Sequence, residues 1–180
     1  MTGAGVAFEV QPADIPEDIR PGESPHGFAR RIAGERALVV ASRLGPAPSR
    51  VVLGADTVVV VEDRVLGKPR DAEHAVELLL DLTGRAHCVV TGIAVANSRT
   101  LEVASRSVET CVWMRSAAEG EIRSYVASGE PLDKAGAYAL QGEGRRFVSR
   151  IEGSESNVIG LPVEETLALL AGSSPDAERR

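Results

Sequence analysis

The sequence predicts a single α/β domain, in which one β-sheet is flanked by helices. Strand-like and helix-like segments alternate along the chain, which is typical of a domain that packs helices on a sheet. A length of 180 residues suits one domain, and 43% hydrophobic against 26% charged residues is typical of a globular protein. We expect this domain to span residues 1–172 and residues 173–180 to form a flexible, solvated tail.

Two helices in the first half of the sequence are predicted from their starts. Ser24 stands directly before Pro25, an order typical of a helix in which a hydroxyl caps the first turn and proline begins it. Asp71 is the predicted cap of a second helix, and Gly84 is predicted to end it. Four apolar residues of this second helix have helical spacing and are expected to face the core: Ala75, Leu78, Leu79 and Leu82.

Two further helices are predicted in the second half. Ser116 and Glu119 have the spacing of a capping box, which predicts a helix that Gly129 ends. Pro162 is predicted to open the last helix. The inward residues of this last helix are expected to be Val163, Leu167 and Leu170.

The predicted strands are rich in β-branched residues. The run from residue 51 to 61 shows little alternation, as expected for a strand that is buried on both faces. A turn at Glu62 and Asp63 then predicts a short return strand. The return strand and four further strands are expected at residues 64–66, 88–96, 101–114, 137–140 and 147–151.

Composition excludes several classes of function. A net charge of −6 and only 3% aromatic residues oppose a nucleic-acid partner, although a few local cations can still bind a small phosphate ligand. Two cysteines are too few for a disulfide framework and favour a reducing compartment. No apolar run approaches 18 residues and the start does not resemble a signal peptide, so we expect a cytoplasmic protein without a membrane partner.

A carboxylate stands where a core strand should be apolar. Asp56 lies inside VVLGADTVVVV, where a buried charge must be hydrogen-bonded, bound to a metal or exposed at a break in the sheet. Gly54 permits the backbone irregularity that would expose it. Two interpretations stay open: Asp56 belongs to a functional site, or it is the hydrogen-bonding residue of a turn between two shorter strands.

Two nearby loops carry charged and polar residues. Lys68 follows the predicted hairpin closely enough to approach Asp56, where it would suit a site for phosphate oxygens and a metal or activated water. A solvated loop lysine is the alternative. The segment at 130–142, which contains Lys134 and Gln141, brings charges and glycines to a strand end, where α/β domains gather ligand groups. A plain connection between a helix and a strand is its alternative.

Five motifs in order resemble the Maf (septum-formation-inhibitor-like) family of nucleoside triphosphate pyrophosphatases. They are LGADTVV at 53–59, LGKPRD at 66–71, TGIAV at 91–95, YVASGEPLDKAGAYALQG at 125–142 and GSESNVIGLPVEET at 153–166. The resemblance covers about residues 6–171. It implies an α/β fold with a bent mixed sheet, commonly in a homodimer. It also implies metal-assisted hydrolysis of a nucleoside triphosphate between the α and β phosphates, giving a monophosphate and pyrophosphate.

The resemblance also implies roles for individual residues. Asp56 resembles the family's general base and a ligand of the divalent cation, Mg²⁺ or Mn²⁺. Glu17 lies in the acidic segment that helps to hold this metal, whereas Pro16 stands where an acidic residue is usual. Lys68 resembles the lysine that steadies the phosphates. Arg36 stands where the family usually has a lysine, which keeps the charge but changes a point donor into a planar fork.

Substrate choice follows from the branch of the family that these motifs resemble. Thr57 and Gln141 match the positions associated with base selection in the branch that acts on dTTP and UTP, and modified pyrimidine nucleotides are further candidates. Lys134, in the same motif as Gln141, is expected to contact the substrate. The branch of the family that prefers methylated guanine nucleotides has different residues at these motifs.

The start of the sequence departs from the family. The family begins with a strand and a Ser-x-Ser-Pro-Arg-Arg loop whose arginines hold the triphosphate, whereas this sequence reaches the equivalent of the following strand by Val6. Two explanations stay open: the natural chain starts further upstream and carries this segment, or the protein is a shortened relative. In either case we expect weak activity from the sequence as it stands. The alternative function is that of a catalytically impaired relative that binds a nucleotide or a partner linked to cell division.

Overall fold

The computed structural model describes residues 5–172, so the tail predicted at 173–180 lies outside the described residues. Five strands and five α-helices form within this range, and short 3-10 turns follow the third helix. The strands are β1 (Val51–Val61), β2 (Arg64–Leu66), β3 (Ala86–Asn97), β4 (Val103–Met114) and β5 (Val148–Glu152). The helices are α1 (Pro25–Leu44), α2 (Ala72–Leu82), α3 (Glu119–Val126), α4 (Glu155–Ile159) and α5 (Val163–Gly172).

The strands form one sheet in the order β2-β1-β3-β4-β5. The two edge pairings are antiparallel, with Val60 opposite Val65 and Val112 opposite Ile151. Ser98 donates its N–H to the carbonyl of Arg50 over 2.9 Å, which sets the end of β3 beside the start of β1. The α/β class is confirmed. The strand directions are antiparallel, where the family resemblance implied a mixed sheet.

The chain divides into two compact units, each with its own core. Among the described residues, the first unit contains 5–56, 91–108 and 160–172, and the second contains 57–90 and 109–159. Small side chains of α1 dominate the first core: Ala33, Ala37, Val40 and Ala41 pack with Val52, Ala94 and Ala96. The second core is larger and includes Leu79, Leu82, Val89, Ile122, Tyr125 and Phe147.

Two glycines set the close approach of α1 to the sheet in the first unit. A Cβ atom on Gly54 would lie 2.2 Å from the carbonyl oxygen of Ala33, and one on Gly92 would lie 2.1 Å from that of Ala29. No real side chain tolerates such distances to backbone atoms, so both positions require glycine. The helix backbone therefore lies directly against β1 and β3.

The predicted helix starts are partly confirmed. The hydroxyl of Ser24 accepts the N–H of Gly27 at 3.1 Å, and the carboxylate of Asp71 accepts the N–H of His74 at 2.8 Å, so both caps form as predicted. The prediction that Ser116 and Glu119 form a capping box is wrong. Helix α3 begins at Glu119 with Ala118 as its cap, since the carbonyl of Ala118 accepts the first helical hydrogen bonds.

Two other local predictions are wrong. No strand forms at 137–140, because Gly136 and Ala137 adopt left-handed conformations with φ of 67° and 57°, and the N–H of Gly136 donates to the carbonyl of Gly67. In α5 the side chain predicted to face inward at Leu167 is 37% exposed, whereas Thr166 is buried. Within residues 5–172, none of the helices combines the length and the apolar character needed to span a membrane.

Candidate functional site

Asp56 lies in the middle of a continuous strand. Helix–sheet packing at Gly54 fixes this part of β1 against α1, and the strand continues without a break to Val61. The interpretation of Asp56 as a turn residue is therefore wrong. Its side chain is 11% exposed, so a nearly buried carboxylate stands among valines, and such a group requires a partner.

Arg36 supplies that partner from α1. Its Nη1 atom lies 3.0 Å from Oδ1 of Asp56 and donates to the carbonyl oxygen of Ala55 at 2.6 Å. Its Nη2 atom donates to Oε1 of Glu17, which lies in the extended segment before α1. One guanidinium thus brings together Glu17, Arg36 and Asp56, three residues that the sequence analysis singled out. We refer to them as the carboxylate–arginine cluster.

A cavity of about 730 Å³ opens beside this cluster within the first unit. Arg36, Gly54 and Ala55 line it together with apolar side chains such as Val40 and Leu44. This volume is within the usual range for small-molecule sites, which are mostly apolar with a few polar groups that orient the ligand. Of the three cluster residues, Arg36 thus borders a space that is large enough for a nucleotide-sized ligand, and Asp56 and Glu17 reach this space through their contacts with Arg36.

The donor set of the cluster fits a hard divalent cation. Mg²⁺ typically takes one or two carboxylates from the protein and completes its shell with water and substrate phosphates. Asp56 and Glu17 offer two such carboxylates, and both reach the same guanidinium. Pro16 adds no ligand atom there.

Two lysines of the second unit act on the carboxylate of Asp133. Nζ of Lys134 lies 2.5 Å from Oδ1 of Asp133. The hydrogen bond from Lys134 is the main cause that lowers the pKa of Asp133, and the positive charges of Lys134 and Lys68 lower it further. Both lysines that the sequence analysis proposed as phosphate contacts therefore act on the same carboxyl group. Their approach to Asp56 stays a prediction.

Glu130 organises the loop that carries Lys134 and Gln141, and the sequence analysis did not identify it. Oε1 accepts hydrogen bonds from the hydroxyl of Tyr125 at 2.7 Å and from the N–H of Gly144 at 3.1 Å, while Oε2 accepts the N–H of Glu143 at 3.0 Å. Burial raises the pKa of Glu130, but these donors and the charge of Lys134 outweigh burial and lower it.

A steric signal for this role of Glu130 exists in the loop itself. A Cβ atom on Gly142 would lie 2.2 Å from Oε2 of Glu130. In the sequence, the only trace of this arrangement was Gly129, which stands three residues after the end of α3 and is followed by Glu130 and Pro131.

Thr57 is half-buried on β1, and Gln141 is exposed in the turn after Leu140. Their joint role in base selection stays a prediction.

Comparison with known proteins decides the family. Residues 1–173 match the family described as Maf-like protein. The chain belongs to this family. Among curated proteins, the dTTP/UTP pyrophosphatase of Anaeromyxobacter dehalogenans (strain 2CP-C) is 49% identical over 168 residues, which cover 92% of this chain and 83% of that protein.

Two further curated proteins are similar to this chain over comparable lengths. The dTTP/UTP pyrophosphatase of Myxococcus xanthus (strain DK1622) is 49% identical over 92% of this chain and 81% of its own length. That of Syntrophotalea carbinolica is 44% identical over 94% of this chain and 77% of its own length. The resemblance stated from five motifs is thereby confirmed.

Proposed function

We propose that this Maf protein hydrolyses dTTP and UTP to the nucleoside monophosphate and pyrophosphate. The observation that carries the proposal is the nearly buried Asp56 carboxylate, which is paired with Arg36, an arginine that itself lines a cavity of ligand size. Curated relatives at 44–49% identity bear the name dTTP/UTP pyrophosphatase. These names favour catalysis over the alternative of an impaired relative that only binds a nucleotide or a division-linked partner.

Asp56 is the proposed general base. Its carboxylate takes a proton from a water molecule, the water oxygen attacks phosphorus, and the bond between the α and β phosphates breaks so that pyrophosphate leaves. A general base must be held at a fixed position relative to the water molecule that it deprotonates. If the base is displaced, much of its contribution to the rate of hydrolysis is lost. The strand backbone and Arg36 supply this positioning for Asp56.

Arg36 is proposed to act mainly as a positioning residue. Its donors already bind Asp56, Glu17 and the carbonyl of Ala55. A planar guanidinium holds two carboxylates at fixed angles, which a lysine ammonium cannot do in the same way. The direct contact with substrate that the sequence analysis expected of Arg36 stays a prediction.

The divalent cation is proposed to be Mg²⁺ or Mn²⁺, held by Asp56 and Glu17. When bound, it neutralises charge on the phosphate oxygens. Lys68 and Lys134 are proposed to provide further positive charge, because phosphoryl chemistry depends on neutralisation and positioning more than on covalent steps by the protein. The ion pair with Asp133 holds the Lys134 ammonium in this loop.

Base choice is proposed to depend on Thr57 and Gln141. The side-chain amide of Gln141 can donate one hydrogen bond and accept another, which matches the donor and acceptor groups on the edge of a pyrimidine base. This proposal rests on the family motif and on the chemistry of the amide.

Pyrophosphate release tests the proposal directly. We expect release from dTTP and UTP in the presence of Mg²⁺, none after chelation with EDTA, and recovery when Mg²⁺ or Mn²⁺ is added back. Nucleotide binding without any release, measured on the same preparation, would instead support the non-catalytic alternative. Faster release from 7-methyl-GTP than from dTTP would overturn the substrate assignment and leave the reaction class intact.

A further inference from the structure

Three side chains with metal-binding atoms meet in the second unit, outside the carboxylate–arginine cluster. The Sγ atoms of Cys88 on β3 and Cys111 on β4 are 3.6 Å apart. A carboxylate oxygen of Glu109 completes the group, and all three ligand atoms lie within 4.8 Å of one another. The cysteines are half-buried and Glu109 is exposed, so a solvated ion can reach them.

The sheet register explains why these residues meet. The N–H of Asn97 donates to the carbonyl of Glu102 at the turn between β3 and β4. Counting nine residues back from Asn97 and nine forward from Glu102 reaches Cys88 and Cys111, which therefore stand opposite each other. Side chains two residues apart on a strand share a face, so Glu109 projects from the same face as Cys111.

The geometry of the two thiols fits a tetrahedral metal. Thiolates at about 2.3 Å from one tetrahedral zinc ion lie about 3.8 Å apart, close to the 3.6 Å observed here. Three protein ligands with water in the fourth position are an established arrangement for zinc. Sulfur ligands select soft or borderline cations and disfavour Mg²⁺, which prefers oxygen.

The electrostatics of the group also favour a cation. The negative charge of Glu109 acts on Cys88, and the two thiols are within hydrogen-bond distance of each other. A bound cation attracts the carboxylate and stabilises the thiolates that replace the thiols.

We propose that Cys88, Cys111 and Glu109 form a binding site for a thiophilic divalent cation such as Zn²⁺, distinct from the catalytic metal site. The ion would link β3 to β4 through the two sulfur atoms, and water would take the fourth position. The proposal does not depend on the hydrolase activity.

Zinc titration of the reduced, metal-free full chain tests this site. In competition with a chromophoric chelator, we expect one tightly bound Zn²⁺ per chain, and we expect Co²⁺ to give a thiolate charge-transfer band. Both signals should disappear in Cys111→Ser. Glu109→Gln should weaken binding by more than the roughly 10–100-fold that loss of an outer-shell partner costs.

Two controls separate this site from the rest of the protein. Glu77→Gln changes an exposed glutamate on α2 and should bind Zn²⁺ like the natural sequence. Asp56→Asn should also keep the Co²⁺ charge-transfer band, even where catalysis fails. Melting temperatures in the presence of chelator show whether each variant is folded, and the exposed position of Glu109 makes its variant the safer one.

Several results would overturn the proposal. One is Zn²⁺ binding that is undiminished in both Cys111→Ser and Glu109→Gln. Another is the absence of a thiolate charge-transfer band when Co²⁺ is added to the natural sequence. A third is the loss of that band in Asp56→Asn. Recovery of the protein with both thiols oxidised to a disulfide under reducing conditions would also overturn it. Failure of dTTP hydrolysis would leave it untouched.

Discussion

Nη1 of Arg36 lies 3.0 Å from Oδ1 of Asp56, although the two residues belong to different elements and are 20 positions apart in sequence. The contact joins the second half of α1 to the middle of β1. It exists because Gly54 lets the helix backbone approach the strand, so a side chain that leaves α1 reaches the carboxylate directly. Close packing at this glycine thus determines the geometry of the proposed general base.

Replacement of this carboxylate is the most direct test of catalysis. We expect Asp56→Asn to lower kcat by roughly 10²–10⁴-fold, because the amide keeps the shape of the side chain but cannot accept the proton. Nucleotide binding should persist in a calorimetric assay. Asp81→Asn, which changes a partly exposed carboxylate paired with Arg64, should keep full activity. Unchanged turnover in Asp56→Asn would rule out its role as the base.

The fork of Arg36 should matter as well as its charge. We expect Arg36→Met to lower kcat/KM by about 10–100-fold, since a hydrogen bond to a charged group contributes about 1.5–3 kcal/mol. Arg36→Lys, which keeps the positive charge but loses the planar fork, should recover only part of this loss. Arg64→Met removes an arginine from an exposed ion pair and is the matched control. Full activity in Arg36→Lys would show that the charge alone suffices and would contradict a positioning role for the planar fork.

Close packing at Gly54 should be indispensable to stability. Gly54→Ala places a Cβ 2.2 Å from a backbone oxygen, and such overpacking costs typically about 1–3 kcal/mol or more. We expect a melting temperature lower by several degrees, or loss of cooperative unfolding. Gly120→Ala on α3 is the control, because nothing lies within 4 Å of the added atom. It should be neutral or stabilising by up to about 1 kcal/mol.

Buried His87 should make stability depend on pH. Its Nε2 atom is 2.8 Å from the hydroxyl of Tyr138, and burial lowers its pKa to about 4, from 6.5 for an exposed histidine. The unfolded chain therefore takes up a proton first, and the free energy of unfolding falls as the pH decreases from 6.5 towards 4.

The size of this effect can be checked by urea unfolding. Between pH 7 and pH 5 we expect the His87 contribution to fall by about 2 kcal/mol, at about 1.36 kcal/mol for each pKa unit. His87→Gln should remove this part of the pH dependence, even if it lowers stability at every pH. His74→Gln, in which a partly exposed histidine is changed, should retain it. A parallel pH dependence in natural and His87→Gln proteins would contradict the assignment.

Gln141 should influence which base is accepted. We expect Gln141→Ala to lower kcat/KM for dTTP and UTP by roughly 2–10-fold, the value of a typical net hydrogen bond. The slow reaction of 7-methyl-GTP should hardly change and serves as the internal reference. Equal losses for all three nucleotides would indicate that Gln141 supports the loop rather than the base.

Some features of this protein are determined by the sequence alone. The caps at Ser24 and Asp71 act within one helical turn, so their residue types were enough to predict them. The β-branched run of β1 was equally local, and the α/β class followed from the alternation of such segments. The position of Asp56 inside an apolar strand also indicated a site, because an unpaired charge is costly there.

The tertiary structure decided what required distant residues to meet. The bonds of Arg36 to Asp56 and Glu17 depend on how closely α1 approaches β1, which no local pattern encodes. The failed strand at 137–140 has the same origin, since the bond from Gly136 to the carbonyl of Gly67 crosses 69 positions of the sequence. Periodicity and caps act through neighbouring residues, whereas partners and backbone approach are fixed only when the chain has packed.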